Sequence, residues 1–222
     1  MTLMIPKVAI KNTIMKKIFY ILIIFGFYIS CKAQTVPLKN KFDDNLINNA
    51  YYKDIDNDLI KFIGTWQYSN GNEKFKISLK KENNNLVNST LRNLNYTEDV
   101  LYGEYQYINT NNIEVINTLA NIDAYTDISQ HLIYGNLLTD RRGYPQCFEC
   151  DPNEIRVSLL IEDPERSYMN YQMMVRHLPG DASGSPERIQ IIIRKNGMVA
   201  LPEGAPGDDR IPVGDIILTK VD

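Results

Sequence analysis

The stretch FIGTWQYSNGNEKFKISLKKE, residues 62–82, decides the fold. Phe75, Ile77 and Leu79 alternate with lysines and Ser78. That period of two gives a strand with one buried and one wet face. Trp66 and Tyr68 carry the same period on the other side of Asn70-Gly71. Asn-Gly between two alternating runs is the strongest short-range hairpin signal, because both central positions of a type I′ turn need positive φ. The stretch reads as two antiparallel strands joined at Asn70-Gly71.

The same period recurs downstream. In residues 100–108, VLYGEYQYI, Leu101, Gly103, Tyr105 and Tyr107 share a face opposite Glu104 and Gln106. IEVINTLA and HLIYGNLLT follow, then IRVSLLIE, YMNYQMMVRH, RIQIIIRK and DIILTKV. Residues 81–95 are Asn-rich and read as loop, with at most a short strand at 86–91. Residues 140–153 and 201–214 read as long loops from their Gly, Pro and Asp. Upstream, Tyr52, Ile55, Leu59, Ile60 and Ile63 recur at helical spacing and predict a short amphipathic helix that Gly64 ends. Eight to ten strands with no long helix for parallel crossovers imply an all-β, antiparallel up-and-down fold. Closure into a β-barrel removes exposed edges, and a β-sandwich is the alternative.

In a barrel, alternation sends Tyr68, Phe75, Ile77, Tyr105, Tyr107, Leu159, Tyr171, Met173 and Ile191 inward. They are the candidate lining for a small apolar ligand or peptide, since about eight strands are just wide enough to hold one small molecule or to be filled by side chains. A packed core needs the same residues, so the sequence leaves both readings open.

The front of the chain carries an address. From Met15 it runs MKKIFYILIIFGFYISC: two lysines, an apolar run from Ile18 to Ile29, Ser30, then Cys31. A basic start, a short apolar stretch and a small residue at the cut mark a secretory signal. The run is shorter than the roughly 20 residues a membrane span needs. The pattern resembles a bacterial lipoprotein signal, with Tyr28 departing from the usual aliphatic residue. The resemblance implies cleavage after residue 30 and lipidation of Cys31. Residues 1–30 are then the signal peptide, with Met15 the expected start. Residues 31–49 are a polar tether and 50–222 a single barrel domain. The expected location is the bacterial cell envelope, lipid-anchored and facing the periplasm. Without residues 1–30, 20 basic residues stand against 27 acidic, a formal charge of −7. That balance, with no basic block, argues against nucleic acid as a partner.

The order of these pieces resembles the lipocalin-like (calycin) barrels. There a Gly-x-Trp opens the first strand and its indole covers the closed end, with a basic residue of the last strand lying across it. Gly64-Thr65-Trp66 matches that motif. The resemblance makes Trp66 and Lys220 the barrel-closing pair, a cation–π contact worth roughly 0.5–2 kcal/mol. The arrangement also resembles a group of uncharacterised lipoproteins of Bacteroidota, with the CKAQ start, the YYKDI…GTW junction and the terminal LTK.

Chemistry is sparse. Cys147-Phe148-Glu149-Cys150 is a CxxC, but Pro145 before it and Asp151-Pro152 after it deny the helix start a redox thiol uses. Zinc needs two further ligands, and the chain has only His131 and His177. In an oxidising compartment Cys147 and Cys150 are expected to form a local disulfide. Asp208, Asp209, Asp215 and Glu203 could offer oxygens to Ca²⁺, but their spacing fits no EF-hand. Ser183-Gly184-Ser185 is no nucleophile elbow, and Asp163 and Glu165 flank a turn proline. The expectation is a non-enzyme with no cofactor, no metal and no catalytic residue, whose partner is a small apolar ligand or an envelope protein.

Overall fold

A computed structural model describes residues 34–42, 45–90, 93–197 and 201–221. The expected signal peptide, Met15 start and Cys31 lipidation site lie outside the described residues. Among the described residues there are eleven strands: β1 (Thr35–Pro37), β2 (Tyr51–Lys53), β3 (Gly64–Asn70), β4 (Glu73–Ser89), β5 (Leu94–Ile108), β6 (Glu114–Asn117), β7 (Ile133–Thr139), β8 (Arg156–Glu162), β9 (Asn170–Leu178), β10 (Arg188–Lys195) and β11 (Gly214–Lys220). Eight of them, β3–β5 and β7–β11, form a closed antiparallel barrel in sequential order, with β7 beside β5. It closes where Thr219 meets Gln67 and Lys220 meets Trp66. This is the barrel of the sequence reading, not the sandwich alternative.

The inward face is the one the alternation picks. Trp66, Phe75, Ile77, Tyr105, Val157, Met173, Val175, Ile189, Ile191, Ile193 and Leu218 are all fully buried in one apolar cluster. Gly103 sits among them opposite Leu79. A Cβ there would run into the Ser78 carbonyl and the Leu79 side chain, so glycine permits the close approach of β4 and β5. At the first hairpin, Asn70 pairs with Glu73, so the turn residues are Gly71 and Asn72 rather than Asn70 and Gly71. Gly71 takes the positive φ of 60° that the first turn position requires.

Three expectations are corrected. The Asn-rich stretch read as loop is strand: β4 continues to Ser89 and pairs with β5 through Ser89 opposite Leu94. Past Glu82, β4 alternates between half-buried and exposed residues, while its partner β5 buries Tyr96, Glu98, Asp99 and Val100. A strand held by its ladder without a buried face leaves no hydrophobic period to read. One register irregularity lies between Glu82 and Asn85, with Asn84 at φ 61°.

The short helix expected before Gly64 is β2, a turn, and a single 3-10 turn at Ile60–Phe62. Asp54 is the reason. Its carboxylate accepts the backbone N–H groups of Asp58 and Leu59 at 2.8 and 3.1 Å, an alternative to helical bonding. Asn57 is left-handed at φ 59°. Of the residues at helical spacing, Tyr52 and Leu59 are buried and Ile63 packs against the core, but Ile55 and Ile60 are exposed.

The segment expected to be tether up to Asn49 joins the fold from Thr35, where the compact unit begins. β1 pairs in parallel with β2, and Leu38 is buried. Below Leu101, β5 parts from β7 and pairs with β2 instead. Asn136 of β7 spans the split by donating to the Asp99 carbonyl at 2.8 Å. Lys41 fills it, buried, ion-paired with Glu98 and 3.2 Å from Asn136 Oδ1.

Candidate functional site

Both ends of the barrel are sealed by its own side chains. At the end where β3 begins, the Trp66 indole N–H donates to the Phe62 carbonyl at 2.9 Å. Lys220 Nζ lies 5.0 Å from the Trp66 ring centroid and 2.7 Å from Glu187. The other Glu187 oxygen is 2.7 Å from His177 Nε2, and the His177 ring meets Phe62 edge-on at 6.4 Å. Burial pushes the Glu187 carboxyl up, but the Lys220 and His177 hydrogen bonds and charges more than offset it. The carboxylate is held below its usual range.

At the opposite end the loop 201–213 folds over the mouth. Ile211 is buried in the core cluster. Arg210 binds buried Asp163 at 3.1 Å, Glu165 at 2.7 Å and the Val115 carbonyl at 2.9 Å. The acidic residues weighed as calcium ligands are engaged by other groups. Asp208 pairs with Arg166, Asp209 with Lys195 and the Tyr171 hydroxyl, and Asp215 accepts from Gln190. Glu203 stays exposed. No group of three metal-ligating side chains occurs among the described residues.

Between the ends, the residues considered for ligand lining pack on one another. Phe75, Ile77, Tyr105, Met173 and Ile191 have no exposed surface, and Leu159 and Tyr171 almost none. Tyr68 and Tyr107 pack against the same cluster from the rim. Three of the four inward tyrosine hydroxyls have a protein acceptor: Tyr105 the Glu162 carbonyl at 2.8 Å, Tyr107 the Glu73 carboxylate at 2.9 Å, Tyr171 Asp209 at 2.8 Å. Burial, then the Glu73 carboxylate, pushes the Tyr107 hydroxyl up to about 12. Burial first and nearby Asp charges second push Tyr105 and Tyr171 up as well. All three remain donors across the neutral range.

The expected disulfide is present between Cys147 and Cys150, both buried. Its loop folds back along the outer face of the barrel at the Trp66 end, opposite the 201–213 loop. Arg156, buried at the start of β8, donates to three of the loop's carbonyls: Pro145 and Gly143 at 2.8 Å and Asp140 at 2.9 Å. Arg176 binds Glu154 at 2.6 Å and Glu149 at 3.4 Å. Arg194 donates to the Tyr144 hydroxyl at 3.2 Å and lies over its ring. The loop leaves Tyr144 exposed and Phe148 more so, at 88% of its surface, next to Arg141 and Arg142 around a recess of about 230 Å³.

Sequence reasoning missed these arginines, as it missed Lys41, because nothing in a strand pattern says which outward charge will be covered by a loop. It also missed Glu104. That carboxylate and His131 Nδ1 are 2.9 Å apart and wholly buried, with the His131 ring against Tyr102 and Tyr125. Glu104 Oε2 and His131 Nε2 have no hydrogen-bond partner. No hydroxyl or thiol bonds to the pair among the described residues.

Sealed ends, a packed interior and externally bound loops define the class: a closed eight-stranded antiparallel barrel filled by its own side chains. The chain belongs to a family of unknown function, DUF6705, whose model matches residues 15–221. No curated protein and no solved structure matches it. Among the described residues no helix is long and apolar enough to cross a membrane.

Proposed function

We propose that this protein is a lipid-anchored envelope lipoprotein whose barrel is a rigid, non-enzymatic scaffold for contact with an envelope partner. The filled interior carries the reading. A carrier of a small apolar molecule needs space among Phe75, Ile77, Tyr105, Leu159, Met173 and Ile191, and here those side chains occupy it. The hydroxyls of Tyr105, Tyr107 and Tyr171, which a ligand could have satisfied, already have protein acceptors.

The anchor rests on the run from Met15 to Cys31. Only Lys32, Ala33 and Gln34 separate Cys31 from the compact unit that begins at Thr35. Four residues of extended chain reach roughly 14 Å. On this reading the barrel rides close to the bilayer, held by acyl chains whose burial is worth roughly 0.8 kcal/mol per CH₂.

Mass spectrometry of the mature protein from its native host, before and after denaturation, tests both parts. The expected result is an acylated peptide beginning at Cys31 and no stoichiometric apolar molecule released. A lipid-like compound released one-to-one overturns the scaffold reading. Radioactive palmitate retained by a Cys31→Ser variant overturns the anchor.

A further inference from the structure

The loop at residues 140–155 combines features that the fold alone does not need. Phe148 is the most exposed of the large apolar side chains described, and it sits inside the ring that Cys147 and Cys150 close. The two half-cystines beside it are buried, so the aromatic ring cannot fold inward without moving the bridge. Arg156 and Arg176 fix the rest of the loop to the barrel wall. An exposed aromatic on a rigid mount loses little conformational entropy when it is covered, which is the usual character of an interface anchor.

The charges beside it are arranged for an anion. Arg141 and Arg142 line one recess with Gln146 and Phe148. The Arg142 side chain is 83% exposed and shares Asp140. The Arg141 guanidinium has no ion-pair partner among the described residues. A guanidinium fork matches a carboxylate in a bidentate manner. The surroundings select the kind of anion. Asp140, Glu149, Asp151 and Glu154 lie in the same loop, and the chain without residues 1–30 carries −7. A broad anionic surface such as a lipid bilayer would meet those carboxylates along with the arginines. A single carboxylate entering the recess meets Arg141 unpaired and Arg142 already shared with Asp140, and no carboxylate among the described residues lines the recess itself.

We propose that this loop docks an acidic segment of a partner protein, with an Asp or Glu carboxylate bound by Arg141 and Arg142 and an adjacent apolar side chain laid on Phe148. The assignment rests on the scaffold reading and names the chemistry of the partner that reading requires. The pinning by Cys147–Cys150 and Arg156 is what keeps the recess and the aromatic in register.

The full chain in detergent, panned against a displayed library of random peptides, provides the test. Recovered peptides should share an acidic residue next to an apolar one. Phe148→Ala should weaken their binding roughly tenfold, the size of an interface anchor. Arg141→Gln with Arg142→Gln should weaken it and flatten its dependence on salt. All three residues are exposed, so the variants should melt as the parent does, which circular dichroism verifies. Recovered peptides without acidic residues, or peptides that bind the variants as well as the parent, overturn the loop assignment. So does binding to phosphatidylglycerol vesicles in place of peptides. A chain that recovers no peptide and releases a stoichiometric apolar molecule overturns the scaffold reading itself, a result that the native-host mass spectrometry reports independently.

Discussion

Lys220 and Trp66 are ladder partners and cation–π partners at once: opposite each other in the β11–β3 register, they bring Nζ to 5.0 Å from the indole centroid. The seam they close has only one other register pair, Thr219 with Gln67, against eight between β9 and β10. With so short a ladder, side chains must hold the barrel shut. Trp66 is fully buried and anchored through its N–H to Phe62, and Lys220 is held over it by Glu187.

Trp66→Ala should therefore cost roughly 3–5 kcal/mol, the range for deleting a buried aromatic. Lys220→Met should cost about 0.5–2 kcal/mol, from the lost cation–π contact. Urea unfolding of the two single variants and the double variant forms a cycle. The double variant should lose less than the sum, because the two side chains touch. Strict additivity would show that the contact does not stabilise the seam.

The start of the compact unit makes a second prediction. Chains starting at Thr35 and at Ala50 differ by β1, Leu38 and Lys41. The shorter chain leaves Glu98, only 7% exposed, without its cation. Stranding a buried charge costs roughly 3–5 kcal/mol. The chain from Thr35 should melt as the full chain does, and the chain from Ala50 far lower. Lys41→Met alone should reproduce most of the loss, and adding Glu98→Gln should recover part of it. Equal melting of both truncations would return residues 35–49 to the status of a tether.

Which parts of this fold were legible in sequence follows from what each part buries. Strands with one apolar face, such as Phe75-Ile77-Leu79 and Ile189-Ile191-Ile193, write their period into the chain, and eight of them imply closure. Beyond Glu82 the β4 strand carries Asn, Leu, Val, Asn and Ser, none of them fully buried, so it has no clear apolar period to read, although it pairs with β5 through Ser89 opposite Leu94. Tyr52, Leu59 and Ile63 lie in or against the core at helical spacing, while Asp54 and Asn57 turn the chain between Tyr52 and Leu59, and Ile55 and Ile60 are left exposed. The candidate docking site was half legible. CxxC between prolines pointed to a disulfide-pinned loop. That Arg156 would be covered by the loop while Phe148 was left bare depends on how the loop folds back, and no local pattern encodes it.

Acid should loosen the polar cluster beside β2. Burial pushes the Asp99 carboxyl up, but donors from Tyr51 and the backbone of Asp54 and Asn84, with Lys81 nearby, more than offset it. They hold it below the usual carboxylate range. A group whose native pKa is depressed contributes its full stability above its unfolded pKa, about 3.9 for Asp, and loses it as pH falls through the native value. Asp99→Asn should thus lower stability at neutral pH and flatten its fall below about pH 4. Urea midpoints for parent and variant at a series of pH values check this. Parallel acid limbs would assign the acid sensitivity elsewhere.

The loop that displays Phe148 has two fasteners, and they should not weigh equally. The Cys147–Cys150 ring encloses only Phe148 and Glu149, so it restricts little of the unfolded chain and should stabilise the whole fold only modestly. Arg156 makes three hydrogen bonds from a buried guanidinium to carbonyls eleven to sixteen residues upstream. Hydrogen bonds to a charged group contribute roughly 1.5–3 kcal/mol each, net of the bonds to water they replace. Reduction, or Cys147→Ser with Cys150→Ser, should leave the melting temperature within a few degrees of the parent. It should nevertheless admit trypsin at Arg141 and Arg142 at the end of the freed segment. Arg156→Met, which keeps the apolar stem and removes the donors, should lower the melting temperature more and open the same cleavage sites with the disulfide intact. Limited proteolysis beside thermal melts separates the two. If reduction alone destabilises the barrel more than Arg156→Met does, the bridge and not the arginine holds the loop to the wall.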